Sequence, residues 1–151
     1  MRSLKELMSL RGRVALVTGG GGHIGGAICE ALAELGANIA VLDMAQEACT
    51  HTAKRIKETY HVETLPLVID LSDEEAVRSV PTTLLERFGR LDILVNCAAL
   101  VGTSELKGWA VPFLEQRTDT WRLALEVNLT AAFVLVQTCA GALAAGGHGT
   151  V

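Results

Sequence analysis

Two patterns of apolar positions alternate along the chain: short continuous apolar runs and longer amphipathic stretches. The short runs predict buried parallel strands at Arg13–Thr18, Asn38–Asp43, Val62–Ile69 and Leu91–Asn96. Helical periodicity between the runs predicts helices at His23–Leu35, Gln46–Tyr60 and from Ser72 to Phe88. Strands that alternate with helices indicate βαβ units, so we expect an α/β fold with a doubly wound parallel sheet in three αβα layers.

The same pattern predicts local details of these elements. The apolar face of the first long helix is predicted to contain Ile24, Ile28, Ala31, Leu32 and Leu35. Ser72 is expected to be the N-cap of the third helix. The acidic residues in the first turn after it should interact favourably with the helix dipole. Pro81 lies inside that helix and predicts a kink or a break, and Pro66 is expected to interrupt the third strand.

A long apolar helix is predicted over Asp119–Ala145, after an irregular stretch at Leu100–Arg117 and a capping residue, Thr118. It is apolar nearly all round, so it should be covered on all sides. Two stripes are expected, Leu125, Leu129, Ala132, Val136, Cys139 and Leu143 in one, and Leu123, Val127, Phe133, Val134 and Ala140 in the other. One stripe can pack on the sheet, and the other favours a homo-oligomer, a dimer or tetramer formed through this helix.

The stretch that organises the chain is the glycine-rich turn after the first strand. The apolar run Val14–Val17 breaks into Gly19–Gly22 and resumes as a helical pattern at Ile24. A strand, a glycine turn and a helix start form a cradle for the pyrophosphate of a dinucleotide, held by free N–H groups and the helix dipole. We therefore expect the parallel sheet to be of the Rossmann type. The alternative is a flexible glycine turn in an unrelated α/β domain.

Asp43 ends the second apolar run, 18 residues after Gly25, where the dinucleotide fingerprint requires an acid for the ribose hydroxyls. It would accept two hydroxyl hydrogens and repel a 2′-phosphate. No arginine directly follows it, and none lies in the glycine turn. The cofactor is therefore predicted to be NAD rather than NADP.

Composition and charge narrow the possible partners. The chain is 50% hydrophobic and 20% charged, with a net charge of −4 and no basic run, so we expect no nucleic acid. No apolar run of about 18 residues is free of small polar residues, and we expect no membrane span. The four cysteines, Cys29, Cys49, Cys97 and Cys139, lack a CxxC spacing, and the histidines lack ligand spacing. We therefore expect reduced thiols, a cytoplasmic location and no metal site.

Four ordered motifs resemble the short-chain dehydrogenase/reductase family from Arg13 to Val151. Thr18–Gly25 resembles its glycine motif, and Asp70-Leu71 stands where its adenine-contacting acid stands. Leu91–Ala99 resembles the strand that ends in its Asn-Asn-Ala-Gly motif. Trp121–Leu129 resembles the helix that carries its structural and catalytic asparagine, here Asn128.

The resemblance implies a hydride transfer between a nicotinamide and an alcohol or carbonyl substrate. It implies a catalytic role for Asn128 through backbone and water hydrogen bonds. The implied cofactor contacts are Gly19, Gly22, His23, Ile24, Gly25, Asp43, Met44, Asp70, Leu71, Asn96, Ala98, Ala99 and Val127. We expect residues 1–151 to form one dinucleotide-binding domain, apparently truncated at the start of the fifth strand, where Thr150 and Val151 lie.

The chain also departs from the family pattern. His23 replaces a usual glycine, and Cys97 and Ala99 replace the usual Asn and Gly. The family's Ser and its Tyr and Lys four apart, which lie after the fifth strand, are absent: the only tyrosine is Tyr60, and no lysine follows Lys107. A catalytically inactive nucleotide-binding or sensor protein, or an interaction module, therefore stays as an alternative to an enzyme.

Overall fold

The computed structural model describes residues 3–101 and 106–151. The strands are β1 (Val14–Thr18), β2 (Asn38–Asp43), β3 (Thr64–Val68) and β4 (Ile93–Val95). The helices are α1 (Leu4–Leu7), α2 (His23–Glu34), α3 (Gln46–Tyr60), α4 (Glu74–Phe88), α5 (Thr118–Leu125) and α6 (Ala131–Ala145). A 3-10 turn (Phe113–Glu115) precedes α5, and a π-helical turn (Glu126–Thr130) joins α5 to α6.

The four strands form one parallel sheet in the order β3-β2-β1-β4. Leu16 of β1 lies opposite Ala40 of β2 and Leu94 of β4, which fixes the register at the centre. Thr150 continues this order, because it forms a parallel bridge with Ile93 and makes 3.0 Å backbone hydrogen bonds with Asp92 and Leu94.

Two apolar clusters cover the two faces of the sheet. Alternate residues of β1 and β2, such as Val17 and Ile39, pack against α2 and α3 on one face. Leu16 and Leu42 point to the other face, where α4 and α6 pack. The predicted three-layer α/β fold with a doubly wound parallel sheet is therefore confirmed.

The buried face of α2 is only partly the predicted one. Ile28 and Leu32 pack half-buried against the core, as predicted. Ile24 is 72% exposed, however, and the fully buried residues are Gly25, Gly26, Cys29 and Ala33. Small residues let this helix lie close to the sheet, so the large side chain of Ile24 in its N-terminal turn is left outside. Periodicity identified the helix and part of its buried face, and missed the small buried residues because it gives weight to large apolar ones.

Neither proline interrupts its element. Pro66 lies within β3 opposite Val41, and β3 is the edge strand, where a missing N–H costs no ladder hydrogen bond on the open side. Pro81 lies inside the unbroken helix α4, so the expected break is wrong. Packing against α6 supports α4 here: Val77 and Val80 are buried, and the Thr138 hydroxyl of α6 donates to the Arg78 carbonyl.

Two predicted N-caps lie one residue away from the observed ones. Asp73 caps α4 by accepting a hydrogen bond from the Ala76 N–H, while the Ser72 hydroxyl donates to Asp70 instead. Helix α5 begins at Thr118 with Arg117 as the capping position. Sequence placed these helix starts correctly to within a residue.

Neither predicted stripe of the long helix is buried as a whole; each has buried and exposed members. Cys139 and Leu143 of the first stripe are buried, as is Val134 of the second, but Leu125, Leu129 and Phe133 are exposed. The helix is therefore not covered on all sides in this structure. By length and hydropathy the stretch Thr118–Ala145 could cross a membrane, so the expectation that no segment is long and apolar enough to do so is wrong. Core helices of soluble proteins pass the same test. Its buried side packs on the sheet and α4.

Candidate functional site

The glycine turn fits tightly between β1, the end of β4 and α2. Gly19 has φ +65°, and a Cβ at this position would lie 2.9 Å from the Ala98 Cα. A Cβ on Gly25 would overlap the Gly19 carbonyl oxygen. Larger side chains at either position would displace backbone, so the turn requires glycine at both.

The N-terminus of α2 is open at this turn. The first helical hydrogen bond runs from the Gly26 N–H to the Gly22 carbonyl at 2.8 Å. The N–H groups of His23, Ile24 and Gly25 precede that bond, so they have no intrahelical acceptor. Together with the positive end of the helix dipole, they form a site for an anionic group such as a pyrophosphate. The residues present therefore fit a dinucleotide.

Asp43 ends β2 beside the glycine turn. Its Oδ2 accepts a 3.0 Å hydrogen bond from the Gly21 N–H, and its Oδ1 accepts one of 3.0 Å from the Ala45 N–H. Met44, the next residue, is exposed. The carboxylate is thus held by backbone donors at the carboxyl end of the sheet, with an apolar surface next to it.

Thr18 ties the end of β1 to the segment after β4. Its buried hydroxyl oxygen accepts hydrogen bonds from the N–H groups of Cys97 and Ala98, at 3.0 and 3.1 Å, and donates to the Val95 carbonyl. These bonds fix the backbone at Ala98 against Gly19. Asn96 and Ala99 are exposed at this edge, and Ala98 is half-buried. Thr18 was not among the predicted site residues, although a hydroxyl at the end of an apolar strand is a signal for such a role.

Asp70 and Leu71 follow β3 at the same edge of the sheet. The Asp70 Oδ1 accepts hydrogen bonds from the Ser72 N–H and hydroxyl, at 2.9 and 2.8 Å, and its side chain is exposed. Leu71 is buried in the core, so only its backbone is available to a ligand.

Asn128 lies in the π-helical turn, an irregularity that is frequent at functional sites and that sequence did not predict. Its Oδ1 accepts from the Leu100 N–H at 2.7 Å, and its Nδ2 donates to the Leu100 carbonyl at 3.0 Å. Val127, its neighbour, is half-buried against the core. The pairing holds the chain that leaves β4 against this helix.

The predicted residues therefore come together along one edge. Asp43 is the last residue of β2, and Asp70, Gly19 and Asn96 come after β3, β1 and β4. Since the strand order is β3-β2-β1-β4, the residues line the carboxyl edge of the sheet in the order Asp70, Asp43, Gly19 and Asn96. Ligands of open parallel sheets bind at this edge. A cleft of about 1060 Å³ lies at the opposite end of the strands, around Gly36 and His61, and contains none of the predicted site residues.

The buried thiols carry no reactive chemistry. Burial, with smaller contributions from nearby Cys97 and Cys49, raises the pKa of Cys29 to about 12. Burial also raises the pKa of Cys139 to about 11. Both thiols stay protonated at neutral pH and serve as packing groups. Within residues 3–101 and 106–151, no three His, Cys, Asp or Glu side chains are arranged to hold a metal ion.

Comparison with known proteins yields a consistent set of matches. A family model described as short chain dehydrogenase matches residues 13–151. The rhamnolipids biosynthesis 3-oxoacyl-[acyl-carrier-protein] reductase of Pseudomonas aeruginosa is 37% identical over 129 residues, which cover 85% of this chain and 47% of that protein. The chain spans about half the length of the curated relatives it matches.

Two solved structures share the fold. NAD⁺-bound xylitol dehydrogenase matches with a TM-score of 0.81 and 33% identity, over 92% of this chain and 51% of that one. L-sorbose reductase from Gluconobacter frateurii, in complex with NADPH and L-sorbose, matches with a TM-score of 0.82 and 29% identity, over 93% and 51%. One of these neighbours is thus bound to NAD⁺ and the other to NADPH.

Proposed function

The chain belongs to the short-chain dehydrogenase/reductase family, and from this we propose that it is the dinucleotide-binding part of an NAD-dependent oxidoreductase. The observation that carries the proposal is the Asp43 carboxylate, held 3.0 Å from the Gly21 N–H beside an open helix N-terminus. The reaction proposed is hydride transfer between the nicotinamide and an alcohol or carbonyl group of a small molecule.

The proposed cofactor contacts follow the sheet edge. The backbone at Gly19, Gly22, His23, Ile24 and Gly25 would hold the pyrophosphate, because it offers free N–H donors and a close approach. Asp43 and Met44 would hold the adenosine ribose, Asp70 and Leu71 the adenine, and Asn96, Ala98, Ala99 and Val127 the nicotinamide side. When bound, the cofactor supplies the hydride acceptor or donor. The residues of this chain bind and orient it.

The solved neighbours carry either cofactor, so the preference for NAD rests on the residues of this chain. A carboxylate accepts hydrogen bonds from the free 2′- and 3′-hydroxyls and repels a 2′-phosphate. No arginine is present among residues 19–22 or directly after Asp43 to bind that phosphate. These features support NAD.

Calorimetry with NAD and NADP tests the proposal. We expect tighter NAD binding, and Asp43→Ala should weaken NAD by about tenfold or more, the value of a charge-assisted hydrogen bond. The matched control is Asp70→Ala, on the same edge, which should weaken both cofactors alike because the adenine is common to them. Tighter NADP binding by the unchanged protein would contradict the proposal.

Asn128 is proposed as a positioning residue rather than a group that touches the reacting atoms. The family's general acid/base is a tyrosine four residues before a lysine, and this pair is not among the 151 residues. We therefore propose that these residues alone bind dinucleotide without turning over an alcohol. Dehydrogenase activity in a preparation of verified mass would contradict this.

We keep as a second candidate a catalytically inactive nucleotide-binding or interaction protein. The codons downstream of Val151 in the gene distinguish the two candidates, because a Ser and then Tyr-x-x-x-Lys would favour the enzyme. For either candidate we propose a cytoplasmic protein that forms a homo-oligomer through Thr118–Ala145. Neither nucleic acid nor a membrane is a proposed partner.

A further inference from the structure

Gly21 lies directly against the Asp43 carboxylate. The Gly21 N–H donates to Oδ2 at 3.0 Å, while Oδ1 accepts from the Ala45 N–H at 3.0 Å. An ionised carboxylate has about four acceptor positions, so about two remain free after these bonds. The carboxylate is therefore fixed in one orientation and still able to accept two hydroxyl hydrogens.

The absence of a side chain at Gly21 makes this arrangement possible. A Cβ there would lie 2.9 Å from Oδ2 of Asp43 and 2.8 Å from the Cβ of Ala48 in the first turn of α3. The neighbouring Gly22 differs, because its Cβ would only approach the Gly19 carbonyl oxygen at 3.3 Å. The Cβ would also lie 3.1 Å from the Ala48 carbonyl carbon. Of these contacts, the carboxylate is the easiest to displace, since it is the end of a flexible side chain.

We propose that Gly21 positions the Asp43 carboxylate and is thereby a determinant of NAD selectivity, an inference that rests on the proposed role of Asp43. Its N–H holds the carboxylate in the orientation that accepts the ribose hydroxyls and repels a 2′-phosphate. A methyl group at Gly21 would rotate the carboxylate away and weaken both effects. The selectivity would then be lost without any change in the charge of the site.

Calorimetric titration of Gly21→Ala with NAD and with NADP tests this inference. We expect NAD affinity to fall by about tenfold, the value of a hydrogen bond to a charged group, and NADP affinity to fall less. The same substitution in an Asp43→Ala background should change the ratio of the two affinities by less than about twofold, because no carboxylate is left to position. Equal effects in both backgrounds would overturn the inference.

A compensating variant separates positioning from packing. Ala48→Gly removes the closest of the packing contacts that a methyl group at Gly21 would make, the one at 2.8 Å, while the 3.1 Å contact with the residue 48 carbonyl carbon and the contact with Asp43 stay. In the double variant Gly21→Ala/Ala48→Gly, the denaturation midpoint should rise above that of Gly21→Ala. The ratio of NAD affinity to NADP affinity should stay as low as in Gly21→Ala. If this ratio instead returns to the value of the unchanged protein together with the midpoint, Gly21 acts only through packing. The double variant also serves as the test protein if Gly21→Ala does not fold.

The outcomes also distinguish this inference from the proposed function. If Asp43→Ala leaves the ratio of affinities unchanged, then Asp43 does not select the cofactor, and the basis for proposing NAD is lost as well. If Asp43→Ala lowers the ratio and Gly21→Ala does not, only the role of Gly21 is overturned.

Discussion

The Asn128 side chain holds both backbone polar groups of Leu100, 28 residues away in sequence, through hydrogen bonds of 2.7 and 3.0 Å. Asn128 thus acts as a clamp: it attaches the segment after β4, at the edge of the sheet, to the π-helical turn. A clamp of this kind couples the long helix to the position of Asn96–Ala99.

We predict that Asn128→Ala loosens this segment. Loss of both hydrogen bonds should cost about 1–2 kcal/mol, less than two fully buried bonds, because the side chain is exposed. Hydrogen exchange at the Leu100 amide should accelerate, and NAD should bind more weakly by calorimetry. Gln137→Ala is the control, since this exposed side chain of α6 accepts its hydrogen bond from the Arg78 guanidinium of α4. Unchanged exchange at Leu100 would contradict the clamp.

We predict that Gly19→Ala abolishes measurable NAD binding. The added Cβ would meet the Ala98 backbone at 2.9 Å, and the positive φ adds strain. Gly89→Ala is a matched control, because Gly89 has φ +72° and open space around its Cβ. That control should lose about 1 kcal/mol of stability from backbone strain and keep its NAD affinity. Equal NAD affinities for the two variants would mean that the cradle lies elsewhere.

The Asp92 carboxylate should make a contribution to the free energy of unfolding that is lost in acid. Burial raises the pKa of this carboxyl, but hydrogen bonds from Arg90 and the Val14 N–H, and the charges of Arg90 and Arg13, outweigh it and lower the pKa overall. A lowered folded-state pKa gives stability that is complete above the unfolded value of about 3.9 and is lost as the pH falls through the folded value.

Asp92→Asn should therefore destabilise the protein at pH 7 by about 1–3 kcal/mol, because Arg90 loses its charged partner and the side chain is buried. Urea unfolding of both proteins should show the difference shrinking below about pH 4. Asp119→Asn is the control. The hydrogen bond from Arg117 lowers the pKa of Asp119 to about 2, but this side chain is 63% exposed, so water screens the pair and the unfolding midpoint should move less than for Asp92→Asn. A difference that is constant with pH would contradict this account.

Sequence predicted the strand–turn–helix unit and the position of Asp43 at the end of β2 correctly, because each depends on local pattern: an apolar run, a glycine turn and an acid at a fixed distance. It missed the small residues in the buried face of α2, and the break that was one of two outcomes expected at Pro81 does not occur. Both depend on how closely a helix approaches its neighbours. Tight packing favours Cys29 and Ala33 over Ile24, and α6 supports the helix around Pro81.

The same distinction between local pattern and tertiary packing holds for the residues of the candidate site. The positions of Gly19, Gly25 and Asp70 were predictable from motif spacing, since Gly19 and Asp70 follow strands and Gly25 lies in the first turn of α2. The Thr18 bonds to Cys97 and Ala98, and the Gly21 bond to Asp43, join strands that are distant in sequence. Such bonds depend on the three-dimensional position of a turn, which no periodicity encodes. The π-helical turn at Asn128 is likewise set by tertiary contacts.

The exposed apolar row on the long helix gives the last prediction, that this chain associates with itself. Leu125, Leu129 and Phe133 recur every four residues and are 42%, 64% and 63% exposed. Residues at this spacing share one face of a helix, so together they form a continuous apolar strip. Burying about 500 Å² of such surface would contribute about 12 kcal/mol before the costs of association, which are of similar size. Two copies of the strip would contact each other symmetrically, as isologous interfaces require.

Sedimentation at micromolar concentration should accordingly show a species heavier than the 16.0 kDa chain. Leu125→Lys should shift it towards monomer, because a desolvated lysine at the interface would lack a partner. Leu85→Lys is the matched control: Leu85 is also 42% exposed but lies on α4 and is not part of the strip, so this variant should sediment like the unchanged protein. If both lysine variants dissociate the assembly alike, another surface is involved. A clean monomer of the unchanged chain would show that the strip is tolerated in water, and the proposed homo-oligomer would be wrong for these 151 residues.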